Sequence, residues 1–166
     1  LPTSEQLADF AQQTAAVARQ MGHEPRVALI SFSNFGNPAL PRSEIVSDAV
    51  KLLDQRQANF EYDGEMGIDV ALNPELMAHY PFCRLTGPAN VLIIPGLHSA
   101  QASTKLVYEL GGTTVLGPLL IGLSKPAQIV PMGSTVADMV NIAAWAAHAA
   151  ERTTAPERRS LFSRFR

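Results

Sequence analysis

Short apolar runs alternating with amphipathic stretches of about 12 to 18 residues restrict what this chain can fold into more than any other feature. RVALIS (26–31) and VLII (91–94) are too short for helices and lack the polar alternation of a strand with one wet face, so both read as buried strands. Between and around them, residues 2–21, 43–57, 68–80, 99–110 and 135–150 carry apolar side chains at helical spacing. Buried strands separated by helices predict an α/β fold, a mostly parallel sheet covered by helices on both faces.

The local signals are specific enough to be tested. The first helix is expected to be capped by Thr3 or Ser4, with Glu5 and Gln6 in its first turn. Its inward stripe would be Leu7, Phe10, Ala11, Thr14, Val17 and Ala18, and Gly22 would stop it. Ser31, Ser33 and Asn34 follow the 26–31 strand at its carboxyl end, a cleft edge in such folds. Ser43 would cap the 43–57 helix, which turns Ile45, Val46, Ala49, Val50, Leu52 and Leu53 inward. A brief strand at 60–63 would deliver Asp63-Gly64-Glu65, and Asn73-Pro74 would split the helical stretch after it. Extended segments are expected at 113–123 and 127–130. The last helix would bury Val136, Met139, Val140, Ala143 and Trp145. Residues 117–138, rich in Gly and Pro, then join a strand to a helix start at Ser134 or Thr135, where free N–H groups gather.

Composition narrows the class. With 166 residues, 46% hydrophobic and 17% charged, the chain is ordinary globular material, and the apolar run near 115–123 falls short of the ~20 residues of a spanning helix. No signal-like segment follows Leu1, and the single cysteine, Cys83, supports no internal disulfide, so a reducing, cytoplasmic location is expected. The net charge of -2 divides into +3 over residues 151–166, with five arginines, and -5 over the rest. An acidic body argues against a nucleic-acid partner, and nothing indicates a membrane partner. Residues 1–150 form one lobe in this reading, and 151–166 an Arg-rich mobile tail with a small cluster of Leu161, Phe162 and Phe165.

The chain has no GxGxxG, GxxxxGK[ST], GxSxG or HExxH motif. Asp63, Glu65 and Asp69 would hold a cation only if that turn were helical; the competing reading makes Asp63 and Glu65 the charge complement of a helix start, and no metal site is assigned. Ser31, Ser33 and Asn34 suit a phosphate or carbonyl, or else satisfy their own loop. Cys83 reads as a buried inert thiol rather than an activated one. His98 follows a strand end, and Lys105, one turn into a helix, would reach an anion or stay in solvent.

Four blocks carry a resemblance: RVALISFSNFGNP (26–38), EYDGEMGIDVALNP (61–74), GPANVLIIPGLHSA (87–100) with Lys105, and GPLLIGLSKPAQIVPMGSTVADMVNIAA (117–144). In this order they resemble the phosphate acetyltransferase family, and within it the branch fused behind the catalytic part of bacterial hybrid malic enzymes. The resemblance implies the second lobe of the isocitrate and isopropylmalate dehydrogenase-like architecture. It also implies that another lobe, and a malic-enzyme part holding NAD(P) and a divalent metal, precede Leu1.

Active members of that family transfer acetyl between acetyl phosphate and coenzyme A, using a loop that reads Leu-Ser-Arg-Gly with an Asp further on. Here those positions hold Val130, Pro131, Met132, Gly133 and Asp138, so a hydroxyl and a guanidinium are replaced by a ring and a thioether. The family's Gly-Asn after its Pro-x-Leu turn is Ala100-Gln101. The resemblance therefore implies no catalytic residue in this chain. It implies instead a regulatory acetyl-CoA or CoA site drawn from Ser31, Ser33, Asn34, Lys105, Pro131, Met132, Gly133 and Asp138. It further implies a homodimer through this lobe, in a higher oligomer of the whole protein. An active acetyltransferase using Asp138, Ser31, Ser33 and Lys105, and a ligand-free assembly module, are the alternatives.

Overall fold

A computed structural model describes residues 2–39, 43–111 and 115–154. The chain divides into two compact units, Leu1–Thr113 and Thr114–Arg166. The first contains α1 (Ser4–Gln20), β1 (Arg26–Ile30), α2 (Glu44–Gln55), β2 (Glu61–Met66), α3 (Ile68–Leu72), α4 (Pro74–Met77), β3 (Val91–Ile93) and α5 (Leu97–Leu110). The second contains α6 (Val136–Thr154).

β1 lies at the centre of a three-stranded parallel sheet of order β2-β1-β3. Alternation along it serves two cores. Val27 and Leu29 pack with Val91, Ile93 and the inner faces of α1 and α2, while Ala28 and Ile30 pack with Met66, Val70, Ala71 and Met77 on the opposite face. Each fully buried Leu or Val on such a strand contributes about 1.5–3 kcal/mol. This is the expected α/β architecture with helices on both faces.

Local chemistry sets the helix ends. Thr3 and Gln6 form a reciprocal capping box at the start of α1. At its end Gly22 adopts φ +86°, which lets the His23 and Gly22 N–H groups bond back to Ala18 and Arg19. Asn73 caps α4 from between two helices, as its position before Pro74 suggests. Ser43 occupies the cap position of α2 without a side-chain cap bond, so that expectation fails.

Other expectations need correction. α1 buries Leu7, Ala8, Ala11 and Ala15 and leaves Phe10 about half exposed, because three alanines let the helix lie close to its neighbours on that face. β2 continues through Asp63, Gly64 and Glu65 to Met66, so these residues are strand and no helix start. α5 starts at Leu97 with Gly96 as its cap, before the expected start at 99, and stops at Gly111.

Neither 115–123 nor 127–130 is a strand among the described residues. A strand requires a backbone partner, and here the Gln128 side-chain amide stands in, receiving the Leu120 N–H and donating to the Leu120 carbonyl. α6 buries Ile142 and Trp145 and exposes Val136, Met139, Val140 and Ala143. That helix is apolar on several sides, so spacing alone could not select the buried stripe. It runs on to Thr154, past the expected end at 150. The remainder of the Arg-rich tail, with Leu161, Phe162 and Phe165, lies outside the described residues.

Candidate functional site

The carboxyl ends of β1 and β2 are joined by a polar network centred on Glu65. The ladder slips between Leu29 and Ile30: Leu29 pairs with Gly64 and Ile30 with Met66, leaving Glu65 without a partner residue. Its side chain is 2% exposed. Oε1 accepts the Ser33 hydroxyl at 2.5 Å and the Gly36 N–H at 3.1 Å, and the Glu65 carbonyl accepts the Phe35 N–H at 2.7 Å. One strand residue thereby holds Ser33, Phe35 and Gly36 of the 31–38 loop.

Asn34 completes the tie. Its Oδ1 accepts the Gly67 N–H at 2.7 Å, and its backbone exchanges two hydrogen bonds with Asn37. Ser31 places its hydroxyl 3.4 Å from that of Ser33. The structure thus gathers Ser31, Ser33 and Asn34 into one loop at the sheet's carboxyl edge. The Ser33 hydroxyl is fully buried and engaged with Glu65, and the Asn34 carbonyl with Gly67.

Glycine is required beside this network. A Cβ on Gly64 would lie 2.6 Å from the Leu29 carbonyl oxygen, and its φ of +153° already disfavours any side chain. Close approach of β2 to β1 at this point sets the position from which Glu65 reaches the loop.

A second cluster, not foreseen from the sequence, forms around Arg84. Its guanidinium bonds Asp54 at 2.6 Å and Asp63 at 3.3 Å, and lies 4.9 Å from the centre of the Tyr62 ring. Tyr62 donates its hydroxyl to Asp54 at 2.6 Å. This donor, followed by the Arg84 guanidinium, holds the Asp54 carboxyl below its ordinary range. Burial, then the Asp54 acceptor, raises the Tyr62 phenol to about 12. Asp63 also accepts the backbone N–H groups of Gly64 and Arg84. Asp63 and Glu65 thus lie on a strand and face different partners, so the condition for a cation held by Asp63, Glu65 and Asp69, a helical turn, is not met. No group of three metal-ligating side chains occurs among the described residues. Burial pushes the neighbouring Cys83 thiol upward, consistent with an inert thiol.

The second unit carries the loop before α6. Met132 is wholly exposed, and the Ser134 N–H bonds the Pro131 carbonyl in a turn ending at Gly133. Asp138 accepts both the N–H and the hydroxyl of Thr135 at 2.8 Å, and its own N–H bonds the Thr135 oxygen. That reciprocal pair caps α6, and the two Thr135 donors, backbone first, hold the Asp138 carboxyl below its usual range. Lys105 and His98 are exposed on α5, a helix of the first unit with no buried residue.

The sequence could not indicate that Glu65 organises the loop. Its bond to Ser33 spans 32 residues and depends on a slip in the ladder that no local pattern reveals.

The chain is similar both to malic enzymes and to phosphate acetyltransferases. The family model described as phosphate acetyl/butaryl transferase matches residues 1–147. The NADP-dependent malic enzyme of Rhizobium meliloti (strain 1021) is 56% identical over 148 residues, which cover 89% of this chain and 19% of that protein. The phosphate acetyltransferase of Bacillus subtilis (strain 168) is 34% identical, covering 86% of this chain and 44% of that protein. Among solved structures, a phosphotransacetylase from Streptococcus pyogenes superposes with TM-score 0.85 at 32% identity, over 91% of this chain and 46% of that one. The EutD phosphotransacetylase from Staphylococcus aureus gives 0.83 at 31% identity, over 90% and 47%. The chain therefore spans under half the length of these transferases and about a fifth of the malic enzyme.

Proposed function

The chain belongs to the phosphate acetyl/butaryl transferase family, and from that premise we propose that it is a lobe that no longer transfers acetyl groups and instead regulates and assembles a malic enzyme. Oxidative decarboxylation of malate to pyruvate would take place in another part of the protein, which would hold the NAD(P) and the divalent metal. This lobe would contribute to an inhibitory acetyl-CoA or CoA site, join two subunits, and work in the cytoplasm.

The observation that carries the reading is the Pro131-Met132 pair ahead of α6. Acetyl transfer requires a base for the thiol and donors for charge developing on the carbonyl and phosphoryl oxygens. Proline supplies neither hydroxyl nor N–H, and the exposed Met132 supplies no cation. Asp138, the retained acid of the loop, is committed to Thr135, and a carboxyl held low is a weak base. A site that keeps a cleft while losing its transition-state donors retains binding without turnover. Its ligand would act at a distance by favouring one arrangement of subunits over another.

The test is malate-dependent reduction of NADP by the full-length protein with and without acetyl-CoA, followed in parallel by light scattering. Inhibition or altered assembly is expected, and an unchanged rate and particle size would refute the reading. The similarity to phosphate acetyltransferases supports a second reading, an active transferase. Rapid acetyl-CoA formation from acetyl phosphate by the same protein would establish it in place of the first.

A further inference from the structure

Phe35 is held in a backbone conformation that an aromatic residue seldom adopts. Its φ is +51°, in the left-handed region, where a Cβ crowds the following carbonyl oxygen, so neighbouring contacts must offset the strain. Along the backbone the offset comes from Glu65, whose carbonyl accepts the Phe35 N–H and whose carboxylate accepts the Gly36 N–H. At the side chain it comes from two rings. Tyr80 lies tilted at 5.2 Å, and Phe82 lies edge-on at 5.0 Å and 82°.

Tyr80 has a second reason for its position, since it packs with Phe35 and Cys83 against the core of Ala28, Ile30, Met66 and Val70. Phe82 is 64% exposed, so burial does not account for it. The turn that carries Phe82 is pinned at both ends: the Cys83 N–H bonds the Tyr80 carbonyl at 2.9 Å, and the Arg84 N–H bonds Asp63 at 2.7 Å. The Arg84 guanidinium, on Asp54 and Asp63, fixes the same end. A ring offered from a rigid turn, with its edge on a strained residue of another segment, clamps that segment.

The clamped segment is the 31–38 loop, which leaves the carboxyl end of the central strand of a parallel sheet, where such folds hold their ligands. The Ser33 hydroxyl and the Asn34 carbonyl are committed to Glu65 and Gly67, so what the loop offers a ligand depends on the shape of its backbone. Phe35 and Gly36 also line a cavity of about 570 Å³, whose wall a change of φ at Phe35 would reshape.

We propose that Phe82 is a positioning residue for the acyl-CoA site: its ring keeps Phe35 left-handed and thereby holds the 31–38 loop in the shape that binds the ligand. This rests on the regulatory reading given above. Loss of the ring lets the loop relax, and the apparent affinity falls by the fraction of molecules in which it has relaxed.

Hydrogen exchange of the full-length protein, followed by mass spectrometry with and without acetyl-CoA and alongside malate-dependent reduction of NADP, tests this. Phe82→Ala should speed exchange over residues 31–38 about three- to tenfold while β1 and α2 keep parent rates, because the ring removed is an exposed one. It should also raise the acetyl-CoA concentration needed to protect the loop and to inhibit the enzyme, by about two- to threefold. Phe82→Tyr keeps the ring edge and should restore both. Phe35→Gly takes up φ +51° without strain, and in that background Phe82→Ala should change neither. With a parent that acetyl-CoA inhibits, any of four results would overturn the proposal alone: parent-like exchange or inhibition in Phe82→Ala, faster exchange throughout the first unit, no recovery in Phe82→Tyr, or a full Phe82→Ala effect in the Phe35→Gly background. A parent that acetyl-CoA neither inhibits nor protects would overturn the regulatory reading itself, and this proposal with it.

Discussion

Replacing Ser33 with alanine isolates the bond on which the 31–38 loop depends. The side chain is fully buried, and among the described residues its hydroxyl and the Gly36 N–H are the two donors on Glu65 Oε1. A hydrogen bond to a charged acceptor is worth about 1.5–3 kcal/mol, and removing a hydroxyl leaves too small a void to add much. In a chain of this size that corresponds to a fall in melting temperature of roughly 3–12 °C. The informative measurement is a double-mutant cycle with Glu65→Gln, read by urea unfolding followed with circular dichroism. A neutral amide oxygen still accepts from Ser33 but more weakly, so Ser33→Ala in that background should cost about 1 kcal/mol, with a coupling of similar size. The same penalty in both backgrounds would mean that the Glu65 charge is not what Ser33 serves, and the account of the loop would fail.

Three further outcomes are expected. Gly64→Ala should destabilise by about 1–3 kcal/mol, because its Cβ would collide with the Leu29 carbonyl 2.6 Å away; a urea midpoint unchanged from the parent would contradict this. Tyr62 should lose its proton only near pH 12, against about 10 for an ordinary tyrosine. Its folded value is the higher one, so its contribution to stability is complete below about pH 10 and fades as pH rises toward 12. Ultraviolet titration should show one late phenolate step that Tyr62→Phe removes, and a spectrum unaltered by that change would disprove it. Met132→Arg alone should leave acetyl transfer within about tenfold of background, since each missing donor typically costs about 100- to 1,000-fold and Pro131 still offers none. A large gain in acetyl-CoA formation from the single change would show that the hydroxyl is dispensable.

Parts of the site were legible in the residues themselves. The Pro131-Met132 substitution is chemistry that can be read directly from the side chains, as is the break at Asn73-Pro74, where the residue before proline is pushed out of the helical region. The reach of β2 was hidden, because the brief strand expected at 60–63 gives way to Asp63-Gly64-Glu65, a charged stretch that reads as a helix start. It becomes strand by pairing with β1 and by satisfying its carboxylates through Ser33 and Arg84. The buried face of α6 was hidden for the opposite reason, since too many of its residues are apolar for the spacing to discriminate.

The sequence by itself determined the helical stretches and the buried strands β1 and β3, that the sheet is parallel, and which reactive groups the loop before α6 lacks, but not the extent of β2 or the absence of strands over 115–123 and 127–130. These depend on local periodicity and on the covalent identity of side chains. Tertiary structure alone decided that Glu65 slips out of the ladder to hold the 31–38 loop and line a cavity, and that Arg84 joins Asp54 to Asp63. Those arrangements depend on contacts between residues some 20 to 30 positions apart, whose geometry exists only once the strands have paired.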